Sequence, residues 1–411
     1  MSAPTSRQET AVTGVGLVSP AGLGVPGNWE RVLSGAPTAA TDPELAGLPV
    51  DISCRAAAYR ADDHFAPGQA WKLDRVSQLA LVAAREAVAD AGLDPATWDG
   101  ARVGVVLGTS MGGMGTLEAE HRKTLEEGPA WISPLVWVMA PVNMIAAYLA
   151  IELGARGPNL VTATACASGP TAIGTARQLL AAGACDVVIA GGADAPVTPM
   201  TMAGLAQMGA LSRRVDDPAA ASRPFDTGRD GMVVAEAAGV VVLERLADAR
   251  ARRARVRARV LGYGASADAH HPSAPHPEGE GAERALRAAL ADAGVGQGEV
   301  DHVNAHGSST PLNDVTEARV LRRVLGERPA VTSTKGVTGH ALGAAGAIET
   351  VYTVLALEDG LVPPTANLES LDHRIEIDVV AKEARKAPLE VAVSNSFGFG
   401  GQNGVLVLGR G

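Results

Sequence analysis

The chain has 411 residues, 46% of them hydrophobic, which at about 150 residues per domain is enough for two or three packed units. A formal charge of −10 excludes extensive nucleic-acid binding, because phosphates are bound by clustered lysines and arginines. Cys54, Cys166 and Cys185 are too few for a disulfide framework, so we expect a reducing, cytoplasmic compartment.

Short Val- and Ile-rich runs alternate with amphipathic stretches along the chain, which predicts an α/β protein. The N-terminal MSAPTSRQETAVTGVG lacks a basic stretch followed by an apolar one, so no signal peptide is expected. Abundant glycine and only 3% aromatic residues favour close packing of helices on sheets. The predicted elements are helix 73–91, strand 103–107, helix 170–182 and strands 186–190, 239–243 and 391–394.

Residues 130–150 are uncharged and reach the length of a membrane span, roughly 20 residues. Pro134, Pro141 and Asn143 would interrupt a spanning helix, and no basic flank follows. We therefore predict a buried interior or subunit-interface segment and no membrane contact.

Two segments repeat one pattern, a short strand running into a Gly-containing turn and a helix. They are residues 160–166 and 330–335. The repeat predicts two similar halves. We place their seam near residues 250–256, which divides the chain into 1–253 and 254–411.

Cys166 follows an apolar run and precedes a helix that Pro170 can start. Unpaired N–H groups at a helix N-terminus favour a thiolate, so this setting predicts a lowered pKa and a reactive cysteine. A buried cysteine acting as a small hydrophobe is the alternative. Cys54 and Cys185 lack such a setting and are assigned to structure.

His306 and His340 each lie in a Gly-containing turn after a short strand, where small neighbours leave room for a substrate. Taken singly, each is either a catalytic or a structural histidine. Lys335 lies at a strand end five residues before His340, and burial there would require a counter-ion, for which Glu349 is the candidate; the alternative is a surface lysine.

Phe397 and Phe399 lie among glycines near the C-terminus, a pattern that suggests a mobile aromatic gate or a tight structural turn. The glycines also allow backbone N–H groups to face a ligand as an oxyanion hole. His270, His271 and His276 lack metal-ligand spacing, so no metal site is predicted.

Four blocks occur in one order along the chain: TACASG with Cys166, NAHGSSTP with His306, TKGVTGHALGAAGAIE with His340, and NSFGFGG with both phenylalanines. Together they resemble the β-ketoacyl synthase family, in particular its elongating members that act on acyl carrier protein. The resemblance implies a thiolase-like, five-layered αβαβα fold made of two similar halves, and a dimer. It implies no cofactor, because the carrier protein supplies the phosphopantetheine arm.

The resemblance also implies a role for each residue. Cys166 would take up the acyl group, and His306 and His340 would promote decarboxylation of the malonyl-carrier. Lys335 and Glu349 would hold the histidine region in place. The backbone N–H groups of Cys166 and Phe399 would form the oxyanion hole. Phe399 and Phe397 would form the gate. The expected substrate-binding residues are Met111 in the acyl pocket, Ser308 and Thr310 on the pantetheine arm, and Ser273.

The chain departs from the family pattern at several positions. Ser308 and Gln402 stand where threonine is common, and Ala235-Glu236-Ala237 replaces Gly-Glu-Gly. Ala130 and Trp131 stand where basic residues contact the carrier, which questions the usual docking contact.

The leading interpretation is fatty-acid elongation. The alternatives are a type II polyketide or polyene ketosynthase paired with a chain-length factor, a non-catalytic partner subunit, and a Cys-His-Asn hydrolase using Asn395.

Overall fold

A computed structural model describes residues 9–411. The N-terminal sequence in which no signal peptide is expected therefore lies partly, over residues 1–8, outside the described residues. Within the described residues the main sheet has eleven strands, of which Gly22–Leu23 is a two-residue strand that pairs with the first. We number the other ten in chain order. The first five are β1 Thr10–Ser19, β2 Val103–Gly108, β3 Asn159–Thr162, β4 Val187–Asp194 and β5 Ala237–Arg245. The other five are β6 Ala258–Ala267, β7 His302–Asn304, β8 Ala330–Thr332, β9 Val391–Gly398 and β10 Gln402–Arg410. The four predicted strands 103–107, 186–190, 239–243 and 391–394 correspond to β2, β4, β5 and β9, although β4 and β9 each end four residues later than predicted.

The two sets of strands have the same topology. The first is ordered β3-β2-β4-β5-β1 and the second β8-β7-β9-β10-β6, and β1 pairs with β6 to join them. In each set the first three strands are parallel and the last two pairings are antiparallel. The predicted duplication is therefore confirmed by strand order and direction.

Residues 9–411 contain twelve α-helices, and the predicted helices 73–91 and 170–182 correspond to α2 and α6. In chain order they are α1 Val25–Ser34, α2 Arg75–Asp90, α3 Met114–Glu126, α4 Val136–Met139, α5 Met144–Leu153, α6 Ser168–Ala181, α7 Pro199–Gln207, α8 Leu246–Ala251, α9 Glu280–Ala293, α10 Pro311–Leu325, α11 Lys335–Thr338 and α12 Ala345–Asp359. Five two-residue strands lie outside the ten: Gly22–Leu23, Ala40–Thr41, Ile52–Ser53, Leu361–Val362 and Arg385–Lys386.

The helices and sheets form the five expected layers. Helices α6 and α12 pack against each other between the two sets of strands, while α2 and α5 cover the outer face of the first set and α9 that of the second. This is the thiolase-like αβαβα arrangement implied by the sequence resemblance.

Glycines allow the outer helices to approach the strands closely, in the same way in both halves. A Cβ at Gly16 of β1 would lie 2.0 Å from the Ala83 carbonyl oxygen of α2. A Cβ at Gly264 of β6 would lie 2.1 Å from the Ala285 carbonyl oxygen of α9. The close helix-on-sheet packing expected from composition is thus confirmed.

The apolar segment 130–150 is split between a single 3₁₀ turn, Pro129–Trp131, and the short helices α4 and α5. Across residues 9–411, no helix combines the length and apolarity needed to cross a membrane. A buried interior position is wrong for part of the segment, because Trp131 is 62% and Trp137 73% exposed. The subunit-interface interpretation stays a prediction.

The two edges of the sheet differ. At β8, the edge is covered by the chain itself, since Val380 N–H donates to the Val331 carbonyl at 2.8 Å. At β3, the edge strand has β2 as its one pairing partner in the part of the chain that the structure describes, and its Leu160 is 42% exposed. The first half therefore presents an open strand edge.

Candidate active site

A cavity of about 370 Å³ lies where the two halves meet. Its lining includes eight residues singled out from the sequence: Cys166, Ser273, His306, Ser308, Thr310, His340, Phe397 and Phe399. The structure thus brings together residues that are up to 233 positions apart, from Cys166 to Phe399. Lys335, Glu349 and Met111 do not line the cavity.

Cys166 lies in a 3₁₀ turn, Ala165–Ala167, directly before α6. Its side chain is buried at 6% exposure, and the Phe399 backbone N–H donates to its sulfur. Burial raises the pKa of the Cys166 thiol to about 11, although Lys335 and the Phe399 N–H oppose that rise. The lowered pKa expected from the helix start is therefore wrong, because desolvation of the thiolate outweighs the favourable contacts.

His306 follows β7, and His340 follows α11. Their rings meet edge to face with centroids 5.2 Å apart, and the Phe397 ring lies 5.8 Å from that of His306. Burial, followed by the nearby Lys335 charge, lowers the pKa of both histidines well below the usual value. Both imidazoles are therefore neutral at pH 7. The Nδ1 atom of each ring is buried without a hydrogen-bond partner among the described residues.

Lys335 and Glu349 form a buried ion pair, with 1% and 0% of their side chains exposed. The predicted counter-ion is confirmed, and the surface-lysine alternative is wrong. Burial raises the pKa of Glu349 to about 7, against the opposing effect of Lys335. Lys335 also influences the pKa values of Cys166, His306 and His340, so its charge lies within reach of all three.

Glu317 is a site residue that the sequence analysis missed. Its buried carboxylate on α10 accepts the backbone N–H groups of His306 and Gly307, both at 2.8 Å. Asn395 Nδ2 donates to the same carboxylate at 3.0 Å. Asn395 thus bonds to a glutamate and to neither cavity histidine, so the Cys-His-Asn hydrolase alternative is wrong.

Asp194, at the end of β4, is a second missed residue. Its fully buried carboxylate accepts from the Thr109 hydroxyl at 2.6 Å and from the Ser110 N–H at 2.9 Å, on the turn that carries Met111. It also accepts the Gly343 N–H, three residues beyond His340, at 2.6 Å. Asp194 therefore ties the half-buried Met111 turn of the first half to the His340 loop of the second.

The turn Phe399–Gly401 places Phe399 beside Cys166. Gly400 has φ +77, a conformation that favours glycine, and its N–H donates to the Pro272 carbonyl at 2.7 Å. Ser273 lies in that contacting loop. Ser308 and Thr310 also line the cavity, and their hydroxyls are 2.9 Å apart.

No group of three or more histidine, cysteine, aspartate or glutamate side chains in the described chain is arranged to hold a metal ion. The site is a buried thiol that lines one cavity together with two neutral imidazoles at the junction of two duplicated halves. Fold and site together define a thiolase-like protein of the condensing type.

Comparison with known proteins identifies the family. The family model "Beta-ketoacyl synthase, N-terminal domain" matches residues 7–249, and "Beta-ketoacyl synthase, C-terminal domain" matches residues 257–369. The chain therefore belongs to the β-ketoacyl synthase family, as its motifs predicted. It is 41% identical over 415 residues to the 3-oxoacyl-[acyl-carrier-protein] synthase 2 of Vibrio harveyi, and the match covers 98% of each chain.

Two solved structures are similarly close. The ishigamide ketosynthase/chain length factor structure has a TM-score of 0.92 at 34% identity, covering 99% of this chain and 100% of the other. A type II polyketide synthase acyl-carrier protein in complex with its ketosynthase bound to the hexaketide has a TM-score of 0.91 at 30% identity, with the same coverage.

Proposed function

We propose that the protein is an acyltransferase that condenses an enzyme-bound acyl thioester with malonyl-acyl carrier protein, releasing CO₂ and giving β-ketoacyl-acyl carrier protein. The observation that carries this proposal is the buried Cys166 thiol, which shares one cavity with two neutral histidines. A family relative named as a 3-oxoacyl-[acyl-carrier-protein] synthase supports the reaction type.

In the first half-reaction, the Cys166 sulfur would attack the carbonyl carbon of an acyl-carrier thioester. The carrier thiol leaves with the proton that the cysteine loses, so charge is balanced. The N–H groups of Cys166 and Phe399 would bind the oxygen of the tetrahedral intermediate, each such donor contributing roughly 2.7–4 kcal/mol. Phe399 and Phe397 would open and close this end of the cavity.

In the second half-reaction, the bond between the malonyl carboxylate and the α-carbon breaks. CO₂ leaves, and the electron pair forms an enolate on the carrier thioester. His306 and His340 would donate hydrogen bonds to the enolate oxygen through Nε2, since their Nδ1 atoms are buried away from partners. The α-carbon then attacks the acyl-Cys166 carbonyl, and the C–S bond breaks. The sulfur leaves as a thiolate and takes up one proton from solvent, which is the proton that the decarboxylating condensation consumes overall.

The remaining residues would have supporting roles. The Lys335–Glu349 ion pair would keep the histidine region in position. The pantetheine arm would be contacted by Ser308, Thr310 and Ser273. Met111 would line the acyl pocket through the turn that Asp194 fixes. The protein itself would need no cofactor, because the carrier brings the phosphopantetheine, and we place it in the cytoplasm. The division at 253 and 254 stays a prediction.

Acyl carrier protein and a second subunit are the proposed partners. The open edge at β3 supports association through that edge, either with a second copy or with a different chain. The ishigamide ketosynthase/chain length factor structure favours a second candidate, a polyketide ketosynthase working with a chain-length factor. A non-catalytic partner subunit is disfavoured because the cysteine and both histidines are present.

The experiment is acylation of the purified protein by a panel of acyl-carriers of different lengths, read by intact-protein mass spectrometry. We expect one acyl mass on the wild type and none on Cys166→Ala. His306→Ala and His340→Ala should still be acylated but should not release CO₂ from malonyl-carrier. No adduct with any acyl-carrier would refute the proposal, and dependence on an added partner chain would favour the second candidate.

A further inference from the structure

The main chain of His340 is held from behind by the segment 232–236. The His340 N–H donates to the Val233 carbonyl at 2.8 Å, and the His340 carbonyl accepts the Ala235 N–H at 3.0 Å. The two hydrogen bonds form a parallel bridge between Val234 and His340. The position of the imidazole in the cavity therefore depends on where this segment lies.

The far end of the segment is fixed by Glu236. Its carboxylate is fully buried and accepts two hydrogen bonds from the Arg75 guanidinium, both at 2.6 Å. The Ala56 N–H adds a third contact at 2.9 Å. Arg75 is the first residue of α2 and lies over the Tyr59 ring, 5.2 Å from its centroid. A planar, bidentate arginine contact of this kind fixes orientation as well as distance.

The segment has a second support. The Glu236 N–H donates to the Cys54 carbonyl at 3.2 Å, and the Cys54 N–H donates to the Val234 carbonyl at 2.9 Å. The Cys54 side chain in turn packs behind Gly339, the residue before His340. A continuous series of contacts thus runs from Arg75 of α2 through Glu236 and the segment 233–235 to His340, with Cys54 bonded alongside that segment.

Glu236 does not line the cavity and touches no group that we assign to catalysis. We propose that Glu236, through its contact with Arg75, is a positioning residue for His340. Loss of the carboxylate releases the end of the segment, and the bridge to His340 shifts with it. This inference rests on the proposed function, in which His340 acts in decarboxylation and Cys166 accepts the acyl group.

The chain offers a matched control in Glu244. Glu244 lies on β5, the strand that begins directly after Glu236, and its side chain is buried at 2% exposure. It accepts two hydrogen bonds from the Arg252 guanidinium, at 2.8 and 2.6 Å. It also accepts from Thr13 at 2.5 Å but has no contact with the His340 segment. Glu244→Gln therefore measures the effect of losing a buried glutamate–arginine pair without moving His340.

The test compares Glu236→Gln with Glu244→Gln in the two half-reactions. For Glu236→Gln we expect acylation of Cys166 at the wild-type rate, with CO₂ release from malonyl-carrier falling roughly 10- to 100-fold, since misplacing a catalytic group by about 1 Å costs on that order. Glu244→Gln should retain both. In ¹⁵N-histidine NMR spectra, the His340 imidazole signals should shift in Glu236→Gln only.

Three results would overturn the inference: wild-type CO₂ release in Glu236→Gln, an equal loss in Glu244→Gln, or parallel loss of both half-reactions in Glu236→Gln. If Glu236→Gln does not fold, Arg75→Gln/Glu236→Gln removes both charges together and carries the same expectations. A wild-type protein that performs neither half-reaction would instead refute the proposed function, whatever the variants do.

Discussion

Gly339 makes the sharpest test of how tightly His340 is held. Its backbone has φ +67 and ψ −170, a region open essentially only to glycine, where other residues cost about 1–3 kcal/mol. A Cβ at this position would lie 2.7 Å from Cys54 Sγ and 2.9 Å from the Val233 carbonyl oxygen. Overpacking of this kind adds about 1–3 kcal/mol. Gly339→Ala should therefore lose roughly 2–6 kcal/mol of unfolding free energy.

Gly326 separates the two contributions. It also ends a helix, with φ 74 and ψ −144, but a Cβ there would meet nothing within 4 Å. Gly326→Ala should therefore lose only the unfolding free energy that the unfavourable backbone conformation costs. The additional loss in Gly339→Ala measures the energy of the steric overlap behind His340. Cys54→Ala added to Gly339→Ala should restore only part of the loss, because the Val233 carbonyl stays in place.

The assay is urea unfolding followed by circular dichroism, together with CO₂ release from malonyl-carrier. We expect CO₂ release to fall in Gly339→Ala and to be unchanged in Gly326→Ala, since the Val233 carbonyl accepts the His340 N–H. If Gly339→Ala were no less stable than Gly326→Ala, the close packing behind His340 would be refuted.

Three further predictions concern other sites. Lys335→Met leaves the buried Glu349 carboxylate without its counter-ion and should lower the free energy of unfolding by about 3–5 kcal/mol. Because burial already raises the Glu349 pKa to about 7, the folded variant can take up a proton on Glu349 at low pH. Urea unfolding should therefore show a larger loss of stability at pH 8.5 than at pH 5.5, and an equal loss at both would contradict this. Burial lowers the His302 pKa to about 4, so the neutral ring contributes about 3 kcal/mol to the free energy of unfolding above pH 6.5, and this contribution is lost as the pH falls towards 4. His302→Asn should make the free energy of unfolding, measured by denaturant titration, depend less on pH in this range. An unchanged pH dependence would argue against this. Leu160→Asp on the β3 edge should shift sedimentation towards the monomer, whereas an unaltered sedimentation coefficient would place the subunit contact elsewhere.

Much of the architecture could be predicted because it depends on local patterns. Strands β2, β4, β5 and β9 each contain a short Val-rich apolar stretch, and Pro170 lies in the first turn of α6. Cys166, His306 and His340 stand in small-residue turns, and such turns are where a chain leaves room for a ligand. The counter-ion for Lys335 was predictable because a buried lysine needs one and few carboxylates are nearby in sequence.

Other features depend on the sum of distant contacts. The pKa of Cys166 rises because burial outweighs Lys335 and the Phe399 N–H, and no local pattern gives that balance. Glu317 lies eleven residues from His306 on α10, a helix that is not among the elements predicted from the sequence. Trp131 and Trp137 are exposed although their segment is apolar, since hydropathy alone does not distinguish a core from a surface awaiting a partner.

The matching strand orders imply a division of labour between the halves. Cys166 lies between β3 and α6, and His340 between β8 and α12, which are equivalent junctions of the two units. The proposed nucleophile and one of the two proposed hydrogen-bond donors thus occupy the same position in the two halves. Neither half alone holds all the residues that we propose for catalysis, because the cavity is lined by both. We therefore expect a small molecule that separates the halves to abolish activity without contacting a reacting atom.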